Sequence, residues 1–204
     1  MDNHFEAIDP KKKDANRELI LRTAREIFSK YGYKKTTLDD IAHAVRKGKS
    51  SLYYYFKSKE ELFQAVVLKE AEVLSRSLEQ VVIRNIDPIE KLREYILTKL
   101  KTYRNLANFY HALENDVLAI GFVEYLMVKY NQEEIRMIKR ILIEGVRKGV
   151  FDVSRDLNLI ATGITTAIKG LEVPLSAGNY GDVNLEQGVD NILRIICYGI
   201  AKRE

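Results

Sequence analysis

Between Thr36 and Lys59 the chain reads TTLDDIAHAVRKGKSSLYYYFKSK, a stretch dense in hydroxyls, phenols and ammonium groups. Thr37, Lys47, Lys49, Ser50, Ser51, Tyr53, Tyr54, Tyr55 and Lys59 are its candidate binding residues. The chemistry they offer is non-covalent. Lysine and tyrosine tips can hold phosphates, two small serines let a helix lie deep in a major groove, and phenol rings can touch thymine methyls. Covalent chemistry has no comparable support. His4, His43 and His111 lack metal-ligand spacing. Cys197 stands alone in an isoleucine run, where a buried, inert thiol is expected, and no Gly-rich phosphate loop is present. The chain is expected to be no enzyme, with no catalytic residue, no metal and no cofactor.

Two short helices must position these side chains. Leu38, Ile41, Ala42 and Val45 recur at i, i+3, i+4 and i+7, one apolar stripe of about two turns. Thr36 or Thr37 can cap its start, with Asp39 or Asp40 three residues on completing a capping box. Arg46-Lys47-Gly48 breaks the pattern, and a second helix is predicted to begin near Lys49. On that helix Leu52 and Phe56 point one way; Ser50, Ser51 and Tyr54 point the other, flanked by Lys49, Tyr53 and Tyr55. Tyr55 is divided between groove and core. Exposed aromatics are normally avoided unless a partner covers them, so three consecutive tyrosines favour a DNA-reading face over a solvated surface hairpin.

The pattern T-T-x-x-x-I-A, a turn, S-L-Y-Y-Y-F and then K-x-K-E-E-L-F resembles the DNA-binding domain of the TetR family of transcriptional regulators, over about residues 14 to 65. The rest of the chain is similar to that family only in length and helical character. One departure stands in the turn. Members usually carry Gly, an apolar residue and a Ser or Thr cap where this chain has Arg46, Lys47 and Gly48, so the turn is expected to pack differently, with Lys47 outward toward a phosphate.

Charge separates the two ends. Residues 11 to 59 hold fourteen Lys and Arg against five Asp and Glu, a net of +9, whereas the whole chain carries +4, which leaves −5 for the remainder. A basic field confined to one end suits a polyanion partner. Residues 1 to 13, with Lys11, Lys12 and Lys13, are expected to form a flexible basic arm. Residues 14 to 58 form the helix-turn-helix domain, and 59 to 204 a larger regulatory and dimerisation domain. The opening residues lack a signal-peptide core and no run is apolar enough to span a membrane, so a cytoplasmic location is expected.

The fold class predicted is all-α, an N-terminal three-helix domain followed by a larger helical domain, about nine helices in total. Helix one should span about Asn16 to Tyr31 and end at Gly32. Ser58 with Glu61 caps a fourth helix running to Val82, with Lys59 beside the DNA backbone at its N-terminus. Asp87-Pro88 starts a fifth, about Ile89 to Leu113. Asn115 to Tyr130 reads as one or two short helices interrupted near Gly121, and Asn131 caps the next, closed by Gly149. Ser154 to Leu171, broken near Pro174, and about Leu185 to Lys202 are apolar on wide faces. These last two helices, residues 155 to 203, are therefore expected to form a homodimer interface; the resemblance implies the same. Tyr103, Asn108 and His111 are the candidate contacts for a small, largely hydrophobic effector, although such a collection suits an ordinary core equally well.

Together these readings give a sequence-specific DNA-binding regulator, a ligand-responsive homodimeric repressor on a palindromic operator. The alternative is a helical small-molecule carrier or interaction module whose basic hairpin binds RNA or an acidic partner. Preference for one palindrome over scrambled DNA separates the two.

Overall fold

The computed structural model describes residues 10–111, 117–152, 156–176 and 185–200, which fold into eight helices. These are α1 (Pro10–Tyr31), α2 (Leu38–Ala44), α3 (Lys49–Tyr55), α4 (Lys59–Val82), α5 (Pro88–His111), α6 (Val117–Arg147), α7 (Leu157–Ser176) and α8 (Leu185–Ile200). None of the described helices is long and apolar enough to cross a membrane.

Local chemistry sets the helix ends. Gly32, at φ 80°, turns the chain out of α1 in the left-handed region, and Gly149, at φ 69°, does so after α6. The Asp87 carboxylate accepts from the Ile89 and Glu90 amides at 2.8 and 3.3 Å and starts α5. Beyond the end of α6, Phe151 lies buried against Gly145, where a Cβ would come within 2.0 Å of the ring.

Two apolar cores result. The first joins Ile20, Ala24 and Phe28 of α1 to Ile41, Leu52, Phe56 and the early part of α4. Phe28 meets Phe63 edge-on at 82°, ring centroids 5.6 Å apart. Fully burying each such ring contributes about 1.5–3 kcal/mol before entropy is counted. The second core gathers Leu78, Val81 and Val82 of α4 with Leu92, Ile96, Ile138, Ile141 and Ile168 from α5, α6 and α7. Helix α4 thus belongs to both. So does α6, whose Leu126 is buried in the first core while Met137, Ile138, Ile141 and Leu142 lie in the second.

Buried charge fixes how α5 lies on α6. Lys91 and Lys99, both almost fully buried, reach Glu144 and Glu134 at 2.5 Å each. Such pairs add little net stability over apolar packing, but a register in which either lysine lost its carboxylate would be heavily penalised.

Three boundaries differ from the sequence reading. Helix α1 begins at Pro10, so Lys11, Lys12 and Lys13 stand on a helix rather than in the expected arm; residues 1–9 of that arm lie outside the described residues. Its backbone continues upstream because Pro10 is well suited to a first helical turn. Helix α6 is one element of 31 residues, with neither the break expected at Gly121 nor the cap expected at Asn131. The apolar period runs through both, as Phe122, Leu126 and Tyr130 on the first core pass to Met137, Ile138 and Ile141 on the second. Finally α7 runs through Pro174 to Ser176, past the expected end at Leu171, even though a proline at that position forfeits one i→i−4 hydrogen bond.

Candidate nucleic-acid interface

Helix α2 is built by a complete capping box. Thr37 Oγ1 accepts from the Asp40 amide at 3.2 Å, and the Asp40 carboxylate accepts from the Thr37 amide at 2.8 Å. The Thr37 hydrogen bonds hold the Asp40 carboxyl below its usual range. Thr36, the other candidate cap, is buried and donates its hydroxyl to the Gly32 carbonyl at 2.7 Å. Thr37 therefore ends up as the cap at one edge of the interface, its hydroxyl already engaged.

The turn after α2 carries the strain. Arg46 adopts φ 53°, a left-handed conformation that costs a residue with a Cβ about 1–2 kcal/mol. This is the position at which the resemblance leads one to expect Gly. Lys47, expected outward, is half-buried, and its amide donates to the Ala42 carbonyl at 3.0 Å. Gly48 is the N-cap of α3 in extended backbone, with no side chain to bond the first amides.

Helix α3 buries Leu52, and the residue after it, Phe56, is also in the core. Their burial sets the rotation of the helix, so the opposite face is displayed. Lys49 and Ser50 are exposed, and Tyr53 and Tyr54 are 44% and 56% exposed. Ser51 is half-buried. Tyr55 is also half-buried and packs against the first core, while its ring meets Tyr54 edge-on at 5.1 Å. Lys13 of α1 lies over the Tyr54 ring, 5.1 Å from its centroid. The first turn of α1 thus borders the same face, a neighbour that helical periodicity within 36–59 could not reveal.

Two lysines are committed within the protein. Lys49 Nζ donates to Asp39 Oδ2 at 2.8 Å, and that contact raises the lysine above its ordinary range. Asp39 had been legible only as a possible cap; its place beside Lys49 follows from the reversal of the chain between α2 and α3. Lys59 is half-buried, donates to the Tyr33 carbonyl at 2.9 Å and lies 4.2 Å from the Tyr33 ring centroid. Next to it the α4 N-terminus is capped by Ser58, which accepts from the Glu61 amide at 3.0 Å, while Glu61 reaches back to the Lys57 amide at 2.7 Å. The ready-made anchor expected around Lys59 is in part occupied by the protein's own groups.

The structure does not bring the effector candidates to this face. Tyr103 is half-buried on α5; Asn108 and His111 lie on the same helix, but their side chains fall outside the described residues. A groove of about 310 Å³ opens elsewhere, between α1 and α4, lined by Leu21, Arg22, Val66 and Lys69 among others.

Residues 20–66 match the family model for bacterial regulatory proteins of the tetR family. The chain is similar to the HTH-type transcriptional repressor KstR2 of Mycolicibacterium smegmatis, 29% identical over 157 residues that cover 74% of this chain and 75% of the relative. It is also similar to a probable acrEF/envCD operon repressor of Escherichia coli, 26% identical over 198 residues covering 88% and 86%. Among solved structures, a transcriptional regulator from Cytophaga hutchinsonii superposes with a TM-score of 0.75 at 27% identity, covering 93% of this chain and all of the other.

Proposed function

Because the chain belongs to the TetR family of transcriptional regulators, we propose that it is a ligand-responsive homodimeric repressor that reads a palindromic operator through α3. The observation that carries the reading is the exposed Ser50, Tyr53 and Tyr54 face, presented by a helix whose opposite side is locked into the core. Ser50 and Tyr54 meet base edges, and Tyr53 meets the phosphate backbone.

A second copy covers α7 and α8. Leu159 and Ile195 are 71% and 74% exposed, although both helices also contribute to the second core. On α7 the outward Gly163 and Gly170 leave open space where a side chain would stand, so a partner helix can approach closely. The Thr162 and Thr166 hydroxyls bond carbonyls one turn back at 2.8 and 2.9 Å, which removes the desolvation penalty of burying them. Two-fold pairing sets two copies of α3 at successive major-groove faces, about 34 Å apart.

The effector, a small and largely apolar molecule held near Tyr103, favours a different spacing of the two groove helices and so weakens DNA binding only as far as it prefers that state. Helices α4 and α6 carry the change, since each packs in both cores. The names of the two repressors to which the chain is similar support repression as the direction. The test is a selection of random duplexes by the purified protein at near-physiological salt. An inverted repeat should be enriched; no enrichment, even after small molecules have been stripped from the protein, would remove the reading.

A further inference from the structure

Lys49 is the first residue of the groove helix, and its ammonium is already held. Asp39 Oδ2 accepts from it at 2.8 Å, with the two side chains 59% and 52% exposed. Asp39 is not needed to cap α2, because the cap is made by Thr37 and Asp40. It is instead a carboxylate at the edge of a face otherwise suited to a polyanion, where an unpaired acid would repel phosphates.

The location of the pair gives the carboxylate a purpose. N-terminal residues of a recognition helix are the ones that reach base edges, and lysine is a good donor to guanine O6 and N7. A free lysine on its flexible stem would serve any phosphate within its arc. An exposed ion pair is weak in water, so a well-placed acceptor can take the ammonium over from Asp39 while a badly placed one cannot.

We propose that Asp39 is a specificity-determining positioning residue, which holds the Lys49 ammonium at the N-terminal end of α3 for a base-edge acceptor and withholds it from the phosphates of ill-fitting duplexes. The proposal rests on α2 and α3 being the duplex reader. Binding to scrambled DNA is sequence-independent and electrostatic, so withholding one cation weakens that mode most. On the operator Lys49 leaves Asp39 for a base, and little is lost.

The parent, Asp39→Asn, Lys49→Ala and the double variant, each checked for retained helicity, are titrated with the selected operator and a scrambled duplex over a salt series. Asp39→Asn should tighten the scrambled duplex about three- to tenfold and steepen its log–log salt slope by about one. The operator should gain less, so the preference falls, and that fall should vanish when Lys49 is also replaced, since Asp39 then only repels both duplexes alike. Equal tightening of both duplexes with Lys49 present, or a fall in preference that persists without Lys49, would overturn the proposal, because Asp39 would then not act through Lys49. A parent without operator preference would show instead that the reader assignment itself is wrong, and the proposal would fall with it.

Discussion

Lys59 shows how one side chain can be drawn away from the role its position suggests. At the N-terminus of α4, beside the groove helix, it stands where a phosphate anchor is expected, yet its ammonium bonds the Tyr33 carbonyl and faces the Tyr33 ring. The tie crosses 26 residues of sequence, so no local pattern could disclose it. Lys59→Ala should therefore lower stability by about 1 kcal/mol through the lost ring and carbonyl contacts, and leave the salt slope of DNA binding nearly unchanged. Thermal melts and a salt series on one duplex check the two halves. A slope reduced by about one, with stability intact, would return Lys59 to the phosphate backbone. Tyr54 and Ser50 were legible because their exposure follows from the burial of Leu52 and Phe56, a matter of helical period alone. Asp39 as the partner of Lys49 was not, since it depends on how two helices fold back on each other.

At the scale of elements, capping chemistry located most helix ends, the cap expected at Asn131 excepted. Gly32, Thr37, Ser58 and Gly149 all mark helix ends in the structure, because each acts on backbone groups within one turn. The extent of α6 was hidden for the opposite reason. Gly121 and Asn131 are weak breakers, and packing against two cores outweighs the small propensity each of them loses. The end of α6 has its own sensitive point at Gly145, whose only free space is taken by the buried Phe151 ring. Gly145→Ala should displace that ring and cost about 1–3 kcal/mol or more by overpacking. Denaturant unfolding would show it, and an unchanged midpoint would mean that Phe151 can move aside freely.

For the whole molecule, the wide apolar faces of the last two helices could be read from the sequence, whereas which residues remain outward required the fold. Among the described side chains, Leu159 and Ile195 are the large apolar ones that face outward on α7 and α8. Replacing both with Glu should leave helicity intact and shift the protein from dimer to monomer in sedimentation, with a large loss of operator affinity because one half-site alone remains bound. A double variant that stayed dimeric would place the interface elsewhere. The central claim is that the outward face of α3 reads sequence, and it is tested most directly by titrating the parent and Tyr54→Ala against the selected inverted repeat and a scrambled control. The parent should prefer the repeat by about a thousandfold or more. Tyr54→Ala, still folded and dimeric, should lose about 1–3 kcal/mol of that preference while binding scrambled DNA about as well as the parent. A Tyr54→Ala protein that chose the repeat as strongly as the parent would contradict the assignment of this face.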